Sequence, residues 1–299
     1  MIIYGGGHRG GMAQSAAPPP EAVRGGVSKT LFVVTVVVVA IIAFLGGVGV
    51  SSVLFPPGPS LTTIVVGTNT PFPPFESRNP TTLKLEGFDI DLVNEIGRRN
   101  GWNVVWRDFQ DWDALLLAIQ FEGVDMGASS ITSSGSVGAL RNASFDFSNS
   151  YYEADQAVMI KSGTTTVQCA TATCTPSELA NHTVAVQRLT SSYWWVQGEL
   201  VDTAMTPASM VSAFGDLNSV ITELINGNVE WVLVDKPIAQ RFTATNPQLV
   251  IEGTIETNEL YAYAVADGDP QNLIPKINSA LALMRTDGTF QRIQDTWIG

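Results

Sequence analysis

From residue 62 to residue 132 the chain alternates short apolar runs with amphipathic ones on brief connections, and few folds accommodate that order. Residues 62–66 (TTIVV) read as a buried strand. Residues 87–100 (GFDIDLVNEIGRRN) read as a helix, with Phe88, Leu92 and Ile96 on one face. Asp89 and Asp91 stand at its positive end, as helix-start acids do. Residues 102–109 (WNVVWRDF) predict a second strand, 112–121 a second helix and 124–127 a third strand. Strands and helices in this order imply βαβ units on a parallel sheet, and therefore the α/β class. Such sheets bind ligands at the carboxyl ends of their strands.

Two loops lie at such ends. The first is Gly67-Thr68-Asn69-Thr70-Pro71-Phe72-Pro73-Pro74-Phe75-Glu76. The second is the stretch 127–152, GASSITSSGSVGALRNASFDFSNSYY. Its small and hydroxylated opening, through Ser129, Ser130 and Thr132, leaves amides and short hydroxyls free to approach an anion. Arg141 follows nine residues after Thr132 and carries a planar fork suited to a carboxylate. Phe145, Phe147, Tyr151 and Tyr152 add aromatic bulk. The competing reading is an ordinary polar loop whose arginine pairs with a surface acid.

The pattern repeats downstream. Residues 157–160 (AVMI) and 183–186 (TVAV) predict strands, the second running into Gln187-Arg188-Leu189-Thr190-Ser191-Ser192. A helix over 193–200 would open at those hydroxyls and again present free amides. Trp194 and Trp195 are expected in the core rather than on a ligand wall. After a helix over 220–225, residues 229–234 (VEWVLV) form an apolar strand ended by Asp235-Lys236-Pro237. Asp235 is a binding acid facing the crevice or the cap of the helix that Pro237 begins, two roles that can coexist. Residues 260–265 (LYAYAV) read as a last strand, and 272–297 as two helices broken at Asp287-Gly288.

Ahead of all this, residues 1–30 are rich in glycine and proline and read as a disordered cytoplasmic tail. Residues 31–50 form an uncharged run of twenty, about what a helix needs to cross a bilayer. Arg9, Arg24 and Lys29 precede it against Glu21 alone, which keeps the N-terminus cytoplasmic. A single-pass anchor at the cell membrane, rather than a cleaved signal, is the expectation, with the rest extracytoplasmic behind a proline-rich linker at 51–61. The balance of 16 basic against 28 acidic residues argues against a nucleic-acid partner. Cys169 and Cys174 are expected to close a local disulfide, since a metal site would need histidines and further cysteines.

From about residue 62 to Gly299 the chain resembles the family 3 solute-binding proteins, the type 2 periplasmic binding proteins of polar amino-acid uptake. The resemblance is carried by Gly67-Thr68, Phe72-Pro73-Pro74-Phe75-Glu76, Gly87-Phe88-Asp89-Ile90-Asp91-Leu92, Gly123-Val124-Asp125 and Ser130-Ile131-Thr132. It continues through Arg141, Phe147-Ser148, Tyr151-Tyr152, Val184-Ala185-Val186, Val234-Asp235 and Arg285-Thr286-Asp287-Gly288-Thr289-Phe290. It implies a two-lobed α/β fold with two hinge strands, one lobe from 62–155 and 258–299, the other from 156–257. It also implies that Arg141 grips an α-carboxylate, that Ser130, Thr132, Thr190 and Ser191 assist, and that Asp235 takes the α-ammonium. Phe72 and Trp112 would sandwich the ligand side chain, with Asn69 and Gln187 completing the site. Two departures stand out: the family places its arginine three residues after the threonine, and it has glycine where this chain has Leu189.

The resemblance implies a monomeric receptor, without cofactor or metal, that delivers an amino acid to the permease subunits of an ABC importer. A dehydratase of the cyclohexadienyl or arogenate type on the same fold is the enzymatic alternative, with Glu153 or Glu230 acting alone, because His182 has no nucleophile to serve. A sensor signalling through the span is the third. Which amino acid is bound stays open: Phe72 and Trp112 favour a flat, amide or cationic side chain, whereas Gln187 and Arg188 favour an amide or an acid.

Overall fold

A computed structural model describes residues 61–299. The expected tail at 1–30, the span at 31–50 and the linker up to residue 60 lie outside the described residues. Among the described residues no helix is long and apolar enough to cross a membrane.

The chain opens with β1 (Thr62–Asn69), a small hairpin of β2 (Ser77–Arg78) and β3 (Leu85–Glu86), and α1 (Phe88–Asn100). There follow β4 (Trp102–Phe109), α2 (Trp112–Gln120), β5 (Met126–Thr132), α3 (Gly135–Arg141) and β6 (Phe145–Phe147). Next come β7 (Tyr152–Lys161), α4 (Pro176–Leu179), β8 (Val184–Gln187) and α5 (Ser191–Val196), which runs on as a π-helical turn, Gln197–Val201. β9 (Val211–Phe214), α6 (Leu217–Asn226), β10 (Trp231–Asp235) and α7 (Lys236–Thr245) lead to β11 (Leu249–Ala266). The chain closes with α8 (Ile274–Thr286) and α9 (Thr289–Trp297).

The elements form where the periodicity demands. α1 buries Phe88, Leu92, Val93 and Ile96 along one side and stops at Gly101, whose left-handed backbone turns its N–H back on the last carbonyls. At its start Gly87 has φ 138°, and a Cβ there would sit 2.1 Å from the Phe75 carbonyl oxygen. Gly87→Ala is therefore expected to cost about 3 kcal/mol, combining backbone strain with overpacking. Denaturant unfolding checks this, and an unchanged midpoint would mean that the loop ahead of α1 yields freely.

The main sheet runs β4-β1-β5-β11-β7-β10-β8-β9, with β6 also on β11. It is mixed rather than parallel. β1 is parallel to β4 and β5, and β8 to β9 and β10, but β7 and β11 run antiparallel to their neighbours. The reason is topological. The chain leaves its first half along β7 and returns along β11, two long strands paired from Tyr152↔Tyr261 to Lys161↔Leu249 with register shifts at Ile251/Gly253 and Ile255/Glu259. Leu92, Ile96, Ile64 and Val66 pack on one face of the first half, and Leu115, Ile119, Ile131 and Phe145 on the other. In the second half Val158, Val184, Val186, Val196 and Trp231 form their own core. Tyr151 stacks on Tyr263 and Tyr152 on Tyr261, so this aromatic pair builds core and strand rather than cavity wall. Cys169 and Cys174 are disulfide-bonded.

Candidate functional site

At the carboxyl ends of β1, β5, β8 and β10 lies a small cavity of about 20 Å³, lined by Asn69, Phe72, Trp112, Ser130, Thr132, Arg141, Gln187, Thr190, Ser191 and Asp235 together with Ser129. All the residues singled out for binding in the sequence are thus brought together, from segments far apart in the chain.

The hydroxyl cradle is part of β5 itself, not a loop after it. Ser130 breaks the strand geometry with φ 48°, and its N–H donates to Asp89 Oδ2 at 2.9 Å. Tyr151 donates to the same oxygen at 2.6 Å, so Asp89 is a buried strut under the cradle as well as a helix-start acid. Burial pushes its carboxyl up to about 7. Ser129 donates to Glu76 Oε1 at 2.6 Å and accepts the Asn69 N–H at 3.0 Å. Glu76 is buried, and this pushes its carboxyl well above the usual range, as does neighbouring Asp89. Ser130 Oγ is buried without a protein partner and lies at the cavity.

Residues 133–140, a stretch about six longer than the family spacing, include residues 135–140 of α3, whose last residue is Arg141. Its guanidinium donates to the carbonyls of Thr132 (2.8 Å) and Leu189 (3.1 Å) and lies 5.5 Å over the Trp112 ring. Only 7% of Arg141 is exposed, yet it forms no ion pair among the described residues. Burial pulls its pKa down to about 10, against the raising pull of Glu259 and Asp235. Leu189, where the family has glycine, is accommodated at φ 60°, and its carbonyl also accepts from Trp112 Nε1 at 3.3 Å.

Facing the arginine, Asp235 ends β10. Its side chain makes no cap to α7. It accepts instead from Tyr261 OH at 2.7 Å and from Gln156 Nε2, which sets aside the capping role. Burial, then the nearby Glu259 carboxylate, raise Asp235 to about 7. Thr190 is the cap that α5 does have, accepting the Tyr193 N–H and donating to the Gln187 carbonyl. Gln187 Nε2 bonds Asn69 Oδ1 and the Gly215 carbonyl, both at 3.1 Å, tying the two halves of the cavity. Arg188 turns away to an ion pair with Asp113 at 2.8 Å, so it is not a cavity cation.

Sequence reasoning missed Glu259 and Gln156. Glu259 is 5% exposed and accepts from Thr132 Oγ1, Gln156 Nε2 and Thr257 Oγ1 at 2.8, 2.8 and 3.1 Å. Gln156 in turn reaches Ser191 Oγ and accepts from Ser192 Oγ at 2.6 Å. One polar residue just before each of two apolar runs was the only signal. Glu153 and Glu230, the acids considered for catalysis, do not line the cavity; His182 lies 3.1 Å from Glu230 instead.

The sequence profile of the bacterial extracellular solute-binding proteins, family 3, matches residues 64–299. This chain belongs to that family. Within the family, the probable histidine-binding protein of Campylobacter jejuni subsp. jejuni serotype O:2 is 27% identical over 232 residues, which cover 77% of this chain and 83% of the relative. The ABC transporter arginine-binding protein 1 of Escherichia coli K12 is 25% identical over 236 residues, covering 77% and 88%. Among solved structures, an ancestral arginine-binding protein bound to arginine superposes with a TM-score of 0.69 at 30% identity, covering 79% of this chain and 98% of its own. The fold is the family's two-lobed α/β fold, and these relatives are binding proteins, not enzymes.

Proposed function

We propose that this chain is an extracytoplasmic amino-acid receptor that passes its ligand to the permease subunits of an ABC importer. The observation that carries this reading is Arg141, a buried cation without an ion pair among the described residues, beside the Ser130 hydroxyl, likewise unpartnered among them, and across from Asp235. A zwitterion supplies the carboxylate that Arg141 lacks and an ammonium for Asp235, so each buried charge meets its opposite. Thr132, Thr190 and Ser191 stand beside the carboxylate in this reading, and Asn69 and Gln187 hold the walls. Phe72 and Trp112 offer ring faces to the side chain. Guanidinium and imidazole groups stack well on such faces, and the relatives named for arginine and histidine make these two amino acids the first to try.

The lobes in this reading divide at 155/156 and 257/258, beside the register shift of β11 between Ile255 and Glu259. A ligand held by Arg141 on one lobe and Asp235 on the other favours the closed arrangement differentially, as population shift requires. Residues 31–50 would anchor a monomer to the membrane.

Thermal unfolding of the full-length chain against the twenty amino acids tests the proposal. A ligand at a hundred times its dissociation constant stabilises by about 2.7 kcal/mol, which raises the melting temperature by roughly 5–10 °C in a domain of this size. A selective rise with one or a few amino acids is expected, and no rise with any would overturn the reading.

A further inference from the structure

Beside the amino-acid cavity, sharing Thr132 and Ser191 with it, lies a second and larger cavity of about 300 Å³. Its walls come from three distant stretches, within residues 134–137, 194–199 and 256–259. Trp194 and Trp195 line it, with the carboxyl-bearing Glu199, Glu256 and Glu259, and no basic residue does.

Each of these groups has a reason to be where it is. Trp194, expected in the core, is 37% exposed instead. The π-helical turn Gln197–Val201 continues α5 with a wider coil and brings Gly198 and Glu199 to the cavity wall. Such turns break regular bonding and recur where a helix serves a ligand. Glu259 is the fixed member of the acid set, buried and held by Thr132, Gln156 and Thr257.

Indole faces beside carboxylates select by charge. A cation is attracted by the negative ring faces and by the acids together. An anion meets three carboxylates of its own sign, and a neutral apolar molecule would strip water from them without return. Among cations, a guanidinium both stacks on an indole and forks its donors to a carboxylate. We propose that this second cavity binds an organic cation carrying a guanidinium or amine and needing no carboxylate of its own. Its occupant would touch stretches on both sides of the β7–β11 crossing and so hold them together. The inference does not rest on the amino-acid reading.

Agmatine, which pairs a guanidinium with an amine and has no carboxylate, is the probe. Calorimetric titration of agmatine into the full-length chain at fixed ionic strength is expected to saturate. Trp194→Leu and Glu199→Gln, both at exposed positions that the fold does not need, should each weaken it by about tenfold, in the range of a partly desolvated cation–ring contact. Phe72→Ala, which alters the amino-acid cavity at a residue that does not line the second one, should leave agmatine binding within about twofold. Three results would overturn the proposal: no saturable heat, equal binding of neutral butylurea, or binding lost in Phe72→Ala but kept in both second-cavity variants. The last would place agmatine in the amino-acid cavity. A failed amino-acid reading would show separately, as a flat thermal panel with agmatine binding intact.

Discussion

Arg141→Ala is expected to weaken amino-acid binding by about a hundredfold or more while leaving the empty protein folded. Truncating one partner of a buried, hydrogen-bonded charge pair costs roughly 2–5 kcal/mol, or about thirty- to several-thousand-fold in affinity. In the proposed complex the loss strands the ligand carboxylate beside Ser130 with no cation to meet it. The empty protein loses less. Among the described residues Arg141 makes no ion pair, so its removal breaks no salt bridge, only the two hydrogen bonds to the Thr132 and Leu189 carbonyls and a longer-range attraction to Glu259 and Asp235. Arg141→Lys is not expected to rescue binding, because one ammonium cannot serve both carbonyls and a bidentate carboxylate. Calorimetry with the amino acid found in the thermal panel, beside a circular-dichroism melt, separates binding from folding. Affinity retained in Arg141→Ala would put the carboxylate elsewhere in the cavity.

The second large effect is on pH. Asp235 sits at about 7 in the empty cavity, raised by burial and then by Glu259. A ligand ammonium favours its ionised form. Below about pH 7 the carboxyl must therefore give up a proton to bind, and affinity should fall about tenfold for each further pH unit. Asp235→Asn removes that slope and weakens binding at every pH. Calorimetry in buffers of different ionisation enthalpy reads the released proton directly. A pH-independent affinity between about 5 and 7 would exclude Asp235 as the ammonium partner.

The same groups set the stability of the empty chain. Asp89 and Asp235 both stand at about 7, above the roughly 3.9 of an unfolded aspartate. Between those values the folded chain holds more protons than the unfolded one, so stability is fullest at the acid end and falls as pH rises towards 7. Each group contributes at most roughly 4 kcal/mol to that fall.

Much of the first half was legible because local rules decide it. The strand predicted over 102–109 is β4, with the alternating burial of a half-covered strand, and the four-residue recurrence of Phe88, Leu92 and Ile96 becomes the buried side of α1. The break at Asp287-Gly288 separates α8 from α9. What escaped depends on distant partners. The early part of β11 carries Glu252, Gly253, Glu256 and Glu259, a composition that suggests a loop, and it is a strand because β7 lies alongside. Glu259 and Gln156 are polar residues whose burial follows from meeting each other and Thr132 across the crossing. Arg188 was a free choice in sequence until Asp113 was placed beside it. Arg141 stands out in the sequence by its planar fork after the hydroxyl-rich run, but that the residues before it would form a helix was not foreseen.

The place of β11 in the sheet bears on how such a chain is made. It is the last strand among the described residues to be synthesised, yet it sits between β5 and β7 near the middle of the sheet. Until residues 261–266 leave the ribosome, the edge of β5 that they cover has no neighbour, and a fully buried strand of the finished protein stays available to other chains. β7, β8 and β10, by contrast, can pair as soon as residue 235 has emerged. The later-encoded half of the cleft is thus free to assemble first, and the half holding Arg141 must wait for the chain to come back to it. A chain cut short before residue 261 would be left not as half a receptor but as a sticky edge in need of a chaperone.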